Sequence, residues 1–537
     1  MFKRIILFFS IIMVCFCIAI FRLDNLSNQE ILHDAAVYQR SYKLKISSVR
    51  GTIYDCRLTP IVNKTKKLIA AVVPETKIFG DLSAAVSEER LGDLWKNLSR
   101  NEPFVIEVNK NINCSGVKTF EIPIRYSSIV PAAHIIGYLS NESKGISGIE
   151  KAYDDYLCCT EQDICVRYSV GASNQLLFGG NSFTDDKSYL LTKGVVLNID
   201  QRLQSLTEEV ANKYISKGAV IITEVPGCEI RAISSFPGFM PLSISKYLND
   251  EDSPLVNRVL MSYNFGSIFK LVTAAAALEK GISENFEYDC TGADEIDGNK
   301  FRCFAGKAHG MEDMERALAY SCNGYFIEIA RKIGGNALLS MAKKFKFGEN
   351  IELAPGVICC KGTLPEEESL AKTGILANFS FGQGKLTVTP LQVCGMINAI
   401  ASNGIYTEPK LVYGFADEKM KITKQENKKS EKIISKDTAE KLKRYMSASV
   451  EYGTSEKGKP EKSSAAAKTS TAQTGIKNKD GKEVTQAWYA GFFPFENPKY
   501  SIVVLAEDGT GGGESCGPVF KEIIDRIYTD IPEIFIE

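Results

Sequence analysis

The feature that most limits what this chain can become is an apolar run from Ile5 to Ile20, extended by Phe21 and Leu23 and led by Lys3 and Arg4. In hydrocarbon each backbone N–H and C=O must be satisfied within its own segment, so a single run of this kind has to be helical. About 16 to 20 residues just suffice to cross a ~30 Å apolar layer. The basic flank on the amino side favours an internal N-terminus and an external remainder. A cleaved secretory signal is the alternative, but its apolar region is usually shorter, and no small-x-small site follows Ile20. Residues 1–23 therefore read as an uncleaved signal-anchor.

At 537 residues the chain exceeds a single ordinary core, which predicts two or more domains. Lys+Arg 64 against Asp+Glu 65 gives no reason to expect nucleic acid. His33, His134 and His309 lie far apart, and none of the fifteen cysteines forms a C-x-x-C pair, so a zinc site is not expected. Whether the cysteines pair as disulfides or remain small buried thiols stays open.

Residues 24–193 mix short strand-like and helical stretches, among them Arg50-Gly51-Thr52-Ile53-Tyr54-Asp55, whose Arg and Asp could pair across a bend. From Gly194 the texture changes. Val195–Ile199 reads as a strand, Asp200 as the N-cap of a helix over Gln201–Tyr214, and Gly218–Val225 with Glu229–Ile233 as a hairpin. A mainly helical middle runs to about Asn403, and the lysine-rich Asp417–Lys436 reads as a solvated excursion. Three strands, Ala467–Thr474, Gln486–Phe493 and Ser501–Glu507, then form a meander with turns at Asn478–Gly481 and Glu496–Pro498. A closing helix over Pro518–Tyr528 completes an α+β arrangement.

The chemistry concentrates in three places. Ser267 precedes an alanine-rich helix, Leu271–Leu278, and Lys270 falls one turn later on the same face. A lysine whose pKa is lowered by burial or by a nearby cation can take the serine proton. Alone the spacing says little, because Ser-x-x-Lys recurs at Ser115, Ser243, Ser340 and Ser369. Ser321-Cys322-Asn323 is equally common in form, since Ser262 and Ser283 open the same spacing. The third is Lys468-Thr469-Ser470-Thr471 at the head of the meander, where a cation and hydroxyls on a strand edge can hold a carboxylate and an extended peptide. Lys372-Thr373-Gly374 competes with it but leads into no meander, and reads as an ordinary turn.

Taken in order, these three elements resemble the active-serine signature of penicillin-binding proteins and serine β-lactamases. Asn257-Arg258 with Phe265–Lys270, His309-Gly310 with Ala319–Asn323, Phe381-Gly382-Gln383-Gly384, Thr389-Pro390-Leu391-Gln392, Asn403-Gly404 and Trp488–Phe492 narrow the likeness to class B penicillin-binding proteins, of the penicillin-binding protein 2 or cell-division type. Arg50–Asp55 is similar to a segment of that family's pedestal.

The resemblance implies a serine β-lactamase/transpeptidase-like domain over 194–537, an antiparallel sheet with helices on both faces plus a helical subdomain. A pedestal over 24–193 would precede it. It further implies a peptidoglycan D,D-transpeptidase with Ser267 as nucleophile, Lys270 as base, Ser321 as proton relay and Lys468 assisting. Asn323, Thr469, Ser470 and Thr471 would bind substrate, and no metal or cofactor would be required. The partners would be stem peptides (a D-Ala-D-Ala donor and an amine acceptor), β-lactams and a membrane glycosyltransferase. The location would be the bacterial cytoplasmic membrane, with the catalytic domain outside. Ser470 and Cys56 depart from the family's usual glycine and arginine. Ser470 would either face away from the cleft or restrict it. The rival readings are a β-lactam hydrolase or sensor on the same fold, and a non-catalytic scaffold of the cell-wall machinery.

Overall fold

A computed structural model describes residues 2–27, 41–48, 50–100, 102–158, 163–169, 183–184, 193–426, 429–477, 481 and 483–535. Phe2–Ser27 is one helix. Within it Phe2–Asn25 has mean hydropathy 2.8 and no buried residue, and among the described residues it alone is long and apolar enough to cross a membrane.

The chain divides into two compact units. One comprises Met1–Arg50, Thr65–Ile124 and Cys159–Thr192; the other comprises Gly51–Lys64, Arg125–Cys158 and Lys193–Glu537. In the first unit Thr65–Val72 is the centre of an antiparallel sheet between Phe104–Val108 and Val117–Ile124. Its core is built from Val72, Leu82, Leu94 and Ile106. Ser41–Ser47 and Ile164–Ser169 pair beside it, and Leu44 and Val166 pack with Ile69 and Phe120.

Gly51–Lys64 joins the second unit because Thr52–Tyr54 pairs in parallel with Gly194–Leu197. The Asp55 carboxylate there accepts the backbone N–H groups of Arg57 and Thr59, closing the bend.

The second unit is organised around a five-stranded antiparallel sheet in the spatial order Ile230–Phe236, Gly218–Glu224, Tyr500–Glu507, Glu483–Phe493, Ala466–Lys477. Successive side chains on a strand point to opposite faces. Val220, Ile222, Ile502 and Val504 pack under the outer helices Gln201–Tyr214 and Gly517–Asp530. Ala219, Ile221, Val503 and Leu505 face the inner helices, including Lys270–Glu279 and Pro390–Ala401. Because both faces are covered, the central strands Gly218–Glu224 and Tyr500–Glu507 carry continuous apolar runs rather than alternating ones. The Asp200 side chain caps its helix by accepting from the Arg202 N–H, as the sequence predicts.

One expectation is corrected and one, the largely exposed Asp417–Lys436 excursion, gains detail. Lys372 is not in an ordinary turn but is the N-cap residue of a helix over Thr373–Ser380. The Asp417–Lys436 excursion contains two short strands, Ile422–Lys424 paired with Val412–Ala416 and Ser430–Lys432 paired with Ile405–Thr407. Exposed lysines on edge strands mask this pairing in the sequence, because edge strands tolerate charge. The expected turn at Asn478–Gly481 falls largely outside the described residues.

Candidate active site

Ser267 lies in a 3-10 turn, Gly266–Phe269, that runs directly into the helix Lys270–Glu279. The segment before it is held from three sides. Tyr263-Asn264 pairs with Thr387-Val388. The Trp488 indole N–H donates to the Asn264 carbonyl (2.9 Å), and the Gly266 N–H donates to the Gly382 carbonyl (2.8 Å). Gly266 and Gly382 both adopt positive φ, 68° and 83°, and a Cβ on Gly382 would collide with the Gly266 carbonyl. This close backbone contact explains why Gly382 follows Phe381 in the stretch singled out from sequence. Upstream, the buried Arg258 pairs with Glu507 (2.9 Å) and donates to the carbonyls of Asp252 and Ser253, tying this segment to the sheet.

Lys270 is fully buried, and its Nζ lies 3.2 Å from Ser267 Oγ, 3.0 Å from Ser321 Oγ, 2.7 Å from the Ser321 carbonyl and 2.6 Å from Asn323 Oδ1. Burial pulls its pKa from 10.5 down to about 8, against an opposing pull from the thiols of Cys322 and Cys303. An ammonium has three protons for these four oxygens, whereas the neutral amine donates two and keeps a lone pair for the serine proton. Ser321 holds φ +59°, a left-handed conformation that non-glycine residues rarely adopt and that marks a conformation fixed by its surroundings. Cys322 then caps the helix Asn323–Ile333, its sulfur accepting from the Tyr325 N–H. Asn323 is fixed at its other end by donating Nδ2–H to the Arg302 carbonyl (2.8 Å).

Lys468 to Thr471 lie on Ala466–Lys477, the outermost strand of the sheet. Lys468 is fully buried; burial and the positive charge of Lys270 hold its pKa well below the ordinary lysine range. Its Nζ donates to the Thr469 carbonyl (3.1 Å) and to Thr454 Oγ1 (3.3 Å). The Thr469 hydroxyl donates to the same Thr454 Oγ1 (3.0 Å). The exposed Thr471 accepts the Gly512 N–H at its Oγ1 (3.1 Å), leaving its own proton available. Ser470 is turned toward the nucleophile segment. Its hydroxyl donates to the Phe265 carbonyl (2.7 Å) and it is 3% exposed.

Ser267, Lys270, Ser321 and Asn323 are thus directly bonded to one another through Lys270, while Lys468, Thr469, Ser470 and Thr471 share one strand. The sequence reading missed Thr454, which bonds Lys468 and Thr469 and whose N–H reaches the Ala319 carbonyl two residues before Ser321. No motif marks it.

Residues 218–525, more than half of the chain, match the penicillin binding protein transpeptidase domain family. The chain belongs to this family. It is similar to stage V sporulation protein D of Bacillus subtilis, 27% identical over 499 residues that cover 88% of this chain and 74% of that protein. The peptidoglycan D,D-transpeptidase PbpA of Mycobacterium tuberculosis is 28% identical over 342 residues, covering 59% of this chain and 68% of its own length. Among solved structures, penicillin binding protein 3 of the same organism, complexed with ampicillin, superposes with a TM-score of 0.66 at 20% identity, covering 90% of this chain and 95% of that one. The transpeptidase fold expected from the three ordered motifs is therefore the fold observed.

One arrangement within this unit was not foreseen. The cysteines and histidines are too dispersed in sequence to suggest a cluster, yet Cys290, Cys303, His309 and Cys322 meet beside Asn323, whose N–H donates to Cys303 Sγ (3.3 Å). Cys290, Cys303 and Cys322 form no disulfide.

Proposed function

We propose that this chain is a membrane-anchored peptidoglycan D,D-transpeptidase in which Ser267 forms the acyl-enzyme. The observation that carries the reading is the buried Lys270 amine, bonded at once to Ser267, Ser321 and Asn323. In this mechanism neutral Lys270 takes the Ser267 proton as the oxygen attacks the penultimate D-Ala carbonyl of a stem peptide. Ser321, also bonded to Lys270, passes a proton to the departing D-Ala amine. Backbone N–H groups of Ser267 and Thr471 stabilise the oxyanion, a contribution of about 3 kcal/mol per donor in comparable sites.

The Thr471 hydroxyl and Thr469, held in place by Thr454 beside the buried Lys468, receive the terminal carboxylate. Asn323 positions the donor peptide, and Ser470 braces the strand against the nucleophile segment. The unpaired edge of Ala466–Lys477 can accept an extended peptide. An amine from a second stem peptide then takes the acyl group. A β-lactam presents a strained amide in the same geometry and acylates Ser267.

In this reading Phe2–Ser27 anchors the protein in a bacterial cytoplasmic membrane, residues 24–193 form the pedestal, and the catalytic domain lies outside. A membrane glycosyltransferase supplies the glycan strands. The test is labelling with a fluorescent penicillin. The wild type is expected to form a persistent covalent adduct that Ser267→Ala abolishes; an undiminished adduct in Ser267→Ala would remove Ser267 from the mechanism.

A further inference from the structure

We propose that Cys290, Cys303, His309 and Cys322 form a closed structural zinc site that fixes the segment carrying Ser321 and Asn323. The four ligand atoms lie within 4.8 Å of one another. Cys290 Sγ is 3.7 Å from Cys303 Sγ and 3.4 Å from His309 Nδ1, and Cys303 Sγ is 3.9 Å from Cys322 Sγ. With Zn–S about 2.3 Å and Zn–N about 2.0 Å, a tetrahedral ion demands S···S edges of about 3.8 Å and S···N edges of about 3.5 Å. These three edges match that solid, and the remaining ones lie within 4.8 Å. A disulfide requires sulfurs about 2.05 Å apart, and pairing any two would strand the third thiol and the imidazole.

The donor set also selects the metal. Three soft sulfurs and one imidazole in tetrahedral array suit zinc rather than the oxygen-seeking cations, and four protein ligands leave no open position for catalysis. The three cysteines are buried, so the site is protected from solvent. Backbone N–H groups of Asn323 and Tyr325 point at the sulfurs of Cys303 and Cys322, as suits metal-bound thiolates.

The ligands come from four places in the chain. Cys290 ends the strand Tyr288–Cys290, Cys303 follows the hairpin Ala293–Arg302, His309 precedes the strand Gly310–Glu312, and Cys322 caps Asn323–Ile333. Asn299, Lys300 and Arg302 of the hairpin are exposed, and a metal would cross-link these short elements. Cys322 is the central residue of Ser321-Cys322-Asn323, so the ion holds the left-handed Ser321 and the Asn323 amide against Lys270. The four ligands are positioning residues. Only their effect on acylation rests on the transpeptidase reading; the metal assignment is independent of it.

The test begins with the full-length protein purified in detergent without chelator. Elemental analysis is expected to give about one zinc per chain. Peptide mapping should find Cys290, Cys303 and Cys322 protected from alkylation until a chelator is added, and cobalt exchange should give the absorption of a tetrahedral cobalt thiolate. Cys303→Ser and His309→Ala should each lose most of the zinc. Chelation should slow penicillin acylation at least tenfold, with recovery on adding zinc but not magnesium. Zinc far below one per chain, Cys290, Cys303 or Cys322 found in disulfides, or zinc that persists while all three thiols react would each overturn the assignment. The wild-type mapping decides even if the variants fail to fold. Loss of penicillin labelling with zinc and thiol protection intact would count against the transpeptidase reading alone.

Discussion

Lys270 shows how one residue converts a common sequence spacing into a chemical device. Five Ser-x-x-Lys sequences occur in the chain, and among the described residues only this lysine of the five is fully buried with its amine on a serine and an asparagine. In the proposed mechanism the neutral Lys270 amine is the base, and since burial holds its pKa at about 8, acylation should rise with pH through that value and level off above it. A penicillin acylation-rate profile from pH 6 to 10 checks this; a midpoint near the ordinary lysine value would exclude Lys270 as the base. Ser470 makes a separate case. Glycine there would remove the bond to the buried Phe265 carbonyl and loosen the strand, a combined cost of about 1–2 kcal/mol. Chemical denaturation of Ser470→Gly against wild type measures it, and Ser470→Ala should lose only the hydrogen-bond share.

At the scale of single elements, the helix Pro390–Ala401 is buried at all twelve positions and lies against the sheet. Thr389 and Gln392 close a capping box at its start, with Gln392 Oε1 accepting the Thr389 N–H (2.9 Å) and Thr389 Oγ1 accepting the Gln392 N–H (3.1 Å). The Gln392 amide also donates to the carbonyls of Lys346, Glu349 and Lys361. Gln392→Ala orphans several buried groups at once and should destabilise the protein by about 3 kcal/mol, read as a lowered unfolding midpoint. The Thr-Pro-Leu-Gln stretch was legible in the sequence as a motif, but the three loops it ties were not. Local signals served well where they suffice: the Asp200 cap, the Gln201–Tyr214 helix and the meander strands appear close to their expected bounds. They misled at Lys372, where the helix Thr373–Ser380 is stabilised by buried Leu376, Ala377 and Phe379 rather than by a recognisable cap.

For the molecule as a whole, the apolar helix should be separable from the chemistry. Deleting residues 2–27 should move the protein from the membrane fraction to the soluble fraction while Ser267 still takes up fluorescent penicillin; loss of labelling in a folded truncation would contradict that. The sequence by itself determined the helix Phe2–Ser27, because a long apolar run has no other way to satisfy its backbone. It also determined the order of the serine, Ser-x-Asn and lysine–threonine elements, because their residue types carry the chemistry. Tertiary structure alone decided which lysine is desolvated, where the Ser470 hydroxyl points and that Thr454 joins two motifs. It also decided that ligands separated by 12, 5 and 12 residues converge into one Cys-Cys-His-Cys cluster. The physical reason is common to all four: burial and side-chain convergence depend on elements distant in sequence, and they exist only once the hairpin, helices and sheet edge have packed together.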